Sequence, residues 1–433
     1  MNAVVCILCF IAINAYGAVL LFGGGEYQVK PVTGYVPWRF SGPEMFVLLT
    51  LGGAMLAAST GGLLMYRLLL WIVLIALGLF KYKMHLSLIS ILYSIYIMWL
   101  LIGLTYTAWI DFGIRQLAKY LLPLLLLLFV PQVIKNTNVF HKGIQLVFLS
   151  YAIWAFLHVL RWCGLGFIIS PIAAVFWWGP AILDSYGVIL SICAVKCWLS
   201  KDRRFLWLLL VIFMIPLIGY VVRTAFVVLL IAAMAMAFFK YKVMSIPYIL
   251  AILVMGIAML VFIPGLRDKM FYKNYSSDDI INTGFSTSYL SQINSNGRFA
   301  MWEELLGRFY YPHPLTGSGL GSQQKYMYVL HEQRGVAGIA HCDYVQMLCD
   351  SGIIGIVLYA LVSISFIASC FFMYNNKRLI NECRYSAFIA GTSLCGLLAA
   401  MITDNVVNYT MTTLAFPYTF YGMALGLRRL KID

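Results

Sequence analysis

Apolar segments of about 20 residues recur along the whole chain, separated by short polar stretches. A helix of about 20 residues crosses the ~30 Å hydrocarbon core of a bilayer, because each residue rises about 1.5 Å. One stretch breaks the pattern, since residues 266–351 are polar over most of their length. The pattern predicts an all-α polytopic membrane protein with about 12 transmembrane helices. It also predicts one large hydrophilic loop that contains short helices.

The composition supports this class. Of the 433 residues, 62% are hydrophobic and 11% are charged, which excludes a soluble globular domain of this size. The net charge of +14 comes mainly from short basic clusters between the apolar segments. Such clusters are typical of cytoplasmic loops, so we expect contact with membrane lipids and no nucleic-acid partner. The ten cysteines are scattered and predict neither a disulfide framework nor a zinc finger.

The basic clusters predict a topology. If every cluster is cytoplasmic, the spans between them must occur in pairs. The loop then lies outside the cytoplasmic membrane, on the same side as the turn at Asp404 and Asn405. The chain divides into transmembrane helices 1–264, an extracytoplasmic loop 265–351 and transmembrane helices 352–433. The clusters lie at residues 81–83, 135–142, 201–204, 240–242, 377–384 and 428–431.

Arg223 lies on the outer side by the same reasoning. Residues 205–239 suffice for two short spans, and the turn between them contains Arg223. An arginine between apolar runs needs a partner or a function; the alternative is that it reaches the lipid headgroups. Residues 46–80 carry Arg67 in their middle and predict either two spans or one span and a broken helix. Further spans are predicted at residues 88–106, 120–134 and 143–164.

Arg298 begins a segment with helical periodicity. Ser295 and Asn296 are typical residues at a helix start, and an amphipathic helix on the membrane surface is predicted behind them. The backbone of the first turn then fixes the position of Arg298. Pairing with Glu303 or Glu304 is the alternative. The periodic residues are Arg298, Trp302, Leu305, Leu306 and Phe309.

Two further motifs follow in the loop. The glycine-rich segment 317–321 predicts tight turns or the close approach of a ligand, and it lacks the Gly-Lys-Ser/Thr of a nucleotide-binding loop. His341 directly precedes a predicted helix that starts at Asp343 and continues through Gly352 into the next span. An imidazole there can accept a proton from a hydroxyl group near neutral pH. A structural histidine is the alternative.

The ordered set of these motifs resembles the O-antigen ligase and O-antigen polymerase superfamily, over roughly the second half of the chain. The layout of many spans and one large outer loop agrees with it. Cys342 departs from the family, which usually has asparagine after the histidine, so the local geometry differs if that asparagine orients the imidazole. The matching motifs are Arg223-Thr224-Ala225, Ser295-Asn296-Gly297-Arg298, Pro314-Leu315-Thr316-Gly317-Ser318-Gly319, His341-Cys342-Asp343-Tyr344-Val345-Gln346 and Gly352-Ile353-Ile354-Gly355.

The resemblance implies a GT-C-like glycosyltransferase that uses a glycan on undecaprenyl diphosphate, with no metal and no other cofactor. Arg223 and Arg298 would bind the diphosphate and stabilise its growing charge. His341 would be the general base for the acceptor sugar hydroxyl, which gives inversion at the anomeric carbon. Tyr344 and Gly319 are expected to contact the substrate. The expected location is the bacterial inner membrane, with the active site facing the periplasm.

The acceptor is open at this point. A polymerase adds the chain to another lipid-linked repeat unit, whereas a ligase adds it to lipid A-core. The His-x-Asp-Tyr pattern at His341 favours a polymerase of O-antigen or another surface polysaccharide, and a chain-length regulator protein is then a candidate partner. A polysaccharide transporter or flippase is the second alternative. It would place charges in the middle of spans, and Asp184 is a candidate for such a charge. A structural membrane subunit is a third.

Overall fold

Helices make up nearly all of the described chain. The computed structural model describes residues 2–29, 37–54, 61–165, 180–199, 203, 219, 222–262, 297–334 and 338–430. The first part of the predicted loop, residues 265–296, lies outside the described residues.

The N-terminal part contains a β-hairpin, with Glu26 opposite Ser41, between the first two helices. The second helix begins with a capping box between Ser41 and Glu44 and has only 11 residues, which is too short to cross a bilayer. Residues 46–80 therefore contribute a short helix and a separate helix of spanning length. The elements are α1 (Asn2–Phe22), β1 (Glu26–Val29), β2 (Trp38–Ser41), α2 (Gly42–Gly52), α3 (Gly61–Tyr82), α4 (Leu88–Thr105), α5 (Ile110–Val133) and α6 (Asn138–Trp162).

The C-terminal part contains the predicted helix that starts at Asp343 and leads into the next span. This helix bends at Gly352, whose φ of 65° interrupts the helical backbone. Short 3-10 helices cover Pro180–Ser185 and Val406–Tyr409. The α-helices are α7 (Tyr186–Leu199), α8 (Arg223–Tyr241), α9 (Ile246–Phe262), α10 (Arg298–Leu305), α11 (Ser322–Arg334), α12 (Asp343–Asn375), α13 (Asn381–Ala400) and α14 (Ala415–Leu427).

Seven of the described segments are long and apolar enough to cross a membrane. One of these segments includes both α8 and α9. The chain is thus a multi-pass, helical membrane protein, as predicted, and a total of about 12 spans stays a prediction.

The core of the bundle lies around α13 and α14. Helix α13 packs against α7, α8 and α12, and α14 packs against α5 and α13. Every residue of α14 is buried. By contrast, α4 exposes an apolar face with a spacing of three or four residues, which fits contact with lipid tails. This face consists of Leu88, Ile91, Ile95, Met98 and Ile102.

Basic clusters and the loop lie at opposite ends of the bundle. Arg429, after α14, donates to Nδ1 of His85, before α4, at 2.9 Å. At the same end, Nε2 of His141 lies 3.2 Å from Glu382. At the other end of α4, Leu320 of the loop donates its backbone N–H to a carbonyl oxygen of that helix at 3.4 Å. This separation agrees with the predicted pairing of spans; which end faces the cytoplasm stays a prediction.

Candidate active site

The chain between α13 and α14, residues 401–414, contacts all three segments that carry the predicted catalytic residues. We call it the 401–414 turn. The carbonyl oxygen of Thr403 accepts a hydrogen bond from Arg298, and the side chain of Asn405 accepts one from His341. The hydroxyl oxygen of Thr403 lies 3.1 Å from that of Thr224, which follows Arg223 in α8. The turn therefore brings the starts of α8, α10 and α12 to one place.

His341 is held by this turn in an unusual backbone conformation. Its φ is 51°, in the left-handed region that residues other than glycine seldom adopt and that recurs at functional sites. The backbone N–H of His341 donates to Oδ1 of Asn405 at 2.7 Å. The N–H of Asn405 in turn donates to Oδ1 of Asp404 at 2.8 Å. The turn thus fixes both the histidine and the carboxylate beside it.

The imidazole of His341 lies against that carboxylate. Its Nδ1 is 3.4 Å from Oδ1 of Asp404, and the two side chains are 27% and 20% exposed. A carboxylate at one ring nitrogen orients the imidazole and stabilises the positive charge that it gains on accepting a proton. The other nitrogen, Nε2, then points away from the carboxylate. This is the arrangement of a general base with an orienting acid group.

Asp343 anchors the start of α12 to the same turn. Its side chain is almost fully buried and accepts hydrogen bonds from the N–H of Val407 at 3.1 Å and the amide of Asn405 at 3.4 Å. Its own N–H donates to the carbonyl of Met401 at 2.9 Å. These bonds offset the cost of burying a carboxyl group. Because Asn405 bonds to both Asp343 and His341, it links the helix start to the candidate base.

The two arginines each begin a helix whose start contacts the 401–414 turn. Arg298 is the first residue of α10 and follows Gly297, whose φ is 76°. Its Nη1 donates to the carbonyl oxygen of Thr403 at 2.5 Å. Arg223 is the first residue of α8, and its guanidinium is close enough to that of Arg298 for the two to repel each other. An anion between like charges relieves their repulsion, and guanidinium binds phosphate in a bidentate fork.

Neighbouring glutamates do not neutralise Arg298. The carboxylate of Glu304 accepts hydrogen bonds from Nε of Arg308, at 3.3 Å, and from the hydroxyl of Tyr326. Within the described part of the chain, Arg298 forms no ion pair with a carboxylate. The alternative of a surface pair with Glu303 or Glu304 is therefore not the arrangement in the structure.

Tyr344 and Gly319 both make close contacts within the protein. The hydroxyl of Tyr344 donates to the carbonyl of Leu398 at 2.9 Å. Gly319 has a φ of 94°, and a Cβ added there would lie 2.6 Å from Cα of Thr107. The glycine thus permits close approach of one protein segment to another. The roles of both residues in substrate binding stay predictions.

Cys342 packs into an apolar cluster with Leu305, Ala340 and Val345. Burial raises the pKa of its thiol, so the side chain is neutral. The indole of Trp302 donates to the carbonyl of Ala340 at 2.7 Å and ties α10 to the same segment. The family usually has asparagine at this position. Here Asn405 of the 401–414 turn supplies the amide oxygen that accepts the backbone N–H of His341.

The sequence predicts no role for the residues that hold the candidate base. Charge topology places Asp404 and Asn405 on the side of the loop, but their contacts with His341 cross more than sixty positions of the chain. A charged residue in a short turn between two apolar spans was the one available signal. No group of three or more His, Cys, Asp or Glu that could hold a metal occurs among the residues that the structure describes. A metal-independent reaction stays a prediction.

Residues 208–360 match the family model described as O-antigen ligase. The predicted resemblance is confirmed. This segment is about a third of the chain and includes Arg223, Arg298, His341 and Tyr344, but it ends before the 401–414 turn. The family implies a glycosyltransferase-like membrane enzyme that acts on lipid-linked glycans. A comparison with curated proteins gives no match.

Proposed function

We propose that this protein transfers a glycan from undecaprenyl diphosphate to an acceptor sugar hydroxyl at the outer face of the bacterial inner membrane. The acceptor would be another lipid-linked repeat unit, which makes the protein a polymerase of O-antigen or another surface polysaccharide. The proposal is carried by the meeting of the His341–Asp404 pair with Arg298 on one turn. The His-x-Asp-Tyr pattern at His341 favours the polymerase over the ligase, whose acceptor is lipid A-core.

Each residue has one task in the proposed reaction. Arg298 and Arg223 bind the diphosphate of the donor. Nε2 of His341 accepts the proton of the acceptor hydroxyl, and the hydroxyl oxygen forms a bond to the anomeric carbon. The bond from that carbon to the diphosphate oxygen breaks on the opposite face, which inverts the configuration. Undecaprenyl diphosphate leaves with the electron pair, and the arginines stabilise its charge.

The first test replaces the proposed base and clamp. His341→Ala should lower the transfer rate by about 10²–10⁴-fold, and Arg298→Ala by about 10²–10³-fold. Arg308→Ala is the matched control, because this exposed arginine follows Arg298 in the same helical segment and contacts Glu304. The measurement is polymer output, with membrane insertion of each variant checked by protein level. Full output from an inserted His341→Ala or Arg298→Ala protein would refute the assignment.

A second test separates polymerase from ligase. Deletion of the gene and analysis of the lipid-linked glycan should leave single repeat units on the carrier if the protein is a polymerase. Long chains stranded on the carrier would instead identify a ligase. Repeat units retained on the cytoplasmic side would indicate the transporter or flippase.

A further inference from the structure

A second polar site lies between α3, α5, α11 and the 401–414 turn. A partly open cavity of about 240 Å³ lies there. This volume is below the roughly 300–1,000 Å³ of pockets that hold a whole drug-sized ligand. It therefore suits one polar group of a larger molecule better than an oligosaccharide. The polar side chains that line it are Arg115, Lys119, Gln324, Asn408, Tyr409, Thr410 and Thr412.

The charge of the cavity is positive. Arg115 and Lys119 are four residues apart and lie on one face of α5. Nζ of Lys119 donates to Oδ1 of Asn408 at 2.5 Å and to Oε1 of Gln116 at 3.1 Å, so its partners are neutral. No carboxylate occurs among the described residues that line the cavity. The buried carboxyl groups of Asp343 and Asp350 lie behind the lining and act on Lys119 electrostatically. Two cations in a lining without a carboxylate nevertheless favour an anion in the cavity.

Two polar atoms of the lining are available for hydrogen bonds. The hydroxyl oxygen of Thr410 and Oε1 of Gln324 are buried and have no hydrogen-bond partner among the residues that the structure describes. Thr410 is only 1% exposed, so water does not reach its hydroxyl freely. Buried polar groups are nearly always hydrogen-bonded in folded proteins. A phosphate oxygen can accept from the hydroxyl, and a sugar hydroxyl can donate to the amide oxygen.

The cavity lies at the same end of the bundle as His341. A Cβ added to Gly113, near the start of α5, would lie 2.7 Å from the carbonyl oxygen of Leu320 in the loop. The 401–414 turn also joins the two sites, because residues 403–405 contact Arg298 and His341 while residues 408–412 line the cavity.

The chemistry of a polymerase requires two separate anion sites. The donor reacts at the carbon bonded to its diphosphate, so that diphosphate must lie beside the base. The acceptor reacts at the end of its glycan remote from its phosphate, so that phosphate occupies a site other than that of the donor diphosphate. We propose that the cavity beside Arg115 and Lys119 binds the phosphate group of the lipid-linked acceptor. This inference rests on the proposed function and adds the site of the second substrate.

The test counts bound lipids on the intact protein in nanodiscs by native mass spectrometry, with undecaprenyl diphosphate as the probe. The wild type should bind two molecules. Arg115→Gln should weaken one site by roughly ten- to a hundredfold, because a charge-assisted hydrogen bond is lost. Thr410→Val should weaken the same site without lowering the unfolding temperature, since its hydroxyl has no partner among the described residues. Arg298→Ala should weaken only the other site.

Lys325→Gln is the matched control. Its ammonium group lies over the ring of Trp109 at 5.1 Å and does not line the cavity, so both sites should persist. Two bound molecules in both Arg115→Gln and Thr410→Val, at wild-type affinity, would overturn the inference. Binding of inorganic diphosphate but no lipid at this site would overturn it too. If lipid A-core binds there and is lost in Arg115→Gln, the acceptor site is supported with the acceptor of a ligase. An Arg298→Ala protein that keeps both sites would count against the donor clamp instead.

Discussion

Asp404→Asn removes the charge beside the candidate base and preserves the shape of the turn. The amide oxygen of the new side chain can still accept the N–H of Asn405. Across the 3.4 Å between Oδ1 and Nδ1 of His341, a carboxylate and an imidazolium attract by about 5 kcal/mol at an effective dielectric constant of about 20. Ion pairs that are fully exposed to solvent contribute only about 0–1 kcal/mol. For these partly exposed side chains we expect the loss of the carboxylate to raise the activation free energy by about 1–3 kcal/mol. The transfer rate should then fall by roughly 5- to 150-fold.

The assay is the initial rate of glycan transfer in nanodiscs at varied donor concentration. The imidazolium forms only as the hydroxyl loses its proton, so kcat should fall while KM for the donor stays within about twofold. Asp111→Asn is the matched control, because it removes the same charge from an exposed position near the loop end of α5. An unchanged kcat in Asp404→Asn, together with an inactive His341→Ala, would show that the carboxylate does not act through the imidazole.

Three further predictions concern single positions. Arg298→Lys keeps the charge but loses the bidentate fork, so the transfer rate should fall by roughly ten- to a hundredfold; a rate equal to wild type would mean that charge alone suffices. Gly352→Ala should lower the free energy of unfolding by roughly 2–5 kcal/mol, measured by thermal unfolding in detergent, because φ is 65° and the added Cβ would lie 2.3 Å from a carbonyl oxygen. Gly319→Ala should destabilise the loop for the same reason, through its contact with Thr107, and should increase proteolysis there. Gly307→Ala, where nothing lies within 4 Å, is the control for both glycines and should behave as wild type.

The sequence predicts single apolar helices well. The span predicted at residues 88–106 is α4, Leu88–Thr105, because an apolar helix shows its ends by a change in composition. The span predicted at 120–134 begins earlier, at Ile110. Its first turns carry Arg115 and Lys119, which face a cavity inside the protein and resemble a loop when only hydropathy is considered.

Contacts between distant segments could not be predicted. Periodicity reports neighbours within one helix, whereas the carboxylate of Asp404 meets His341 from 63 positions away. Charge topology placed both on one side of the membrane but gave no distance between them. The glycine at position 319 illustrates the same limit. Its pattern indicated tight turns or the close approach of a ligand, but it did not predict the close contact with Thr107.

Adjacent residues of the 401–414 turn hold Arg298 and His341 with groups of different charge. Thr403 presents a neutral carbonyl oxygen to Arg298, whereas Asp404 presents its carboxylate to His341. If Asp404 paired with Arg298 instead, the guanidinium would be neutralised and the imidazolium would lose its counter-charge. A carbonyl uses one of the five N–H donors of the guanidinium and leaves its charge intact. Arg298 and His341 are thus held by neighbouring residues of the turn, Thr403 and Asp404, whose Cα atoms are about 3.8 Å apart. Both groups therefore meet at one turn, which suits a reaction in which the attacking hydroxyl and the leaving diphosphate flank a single carbon atom.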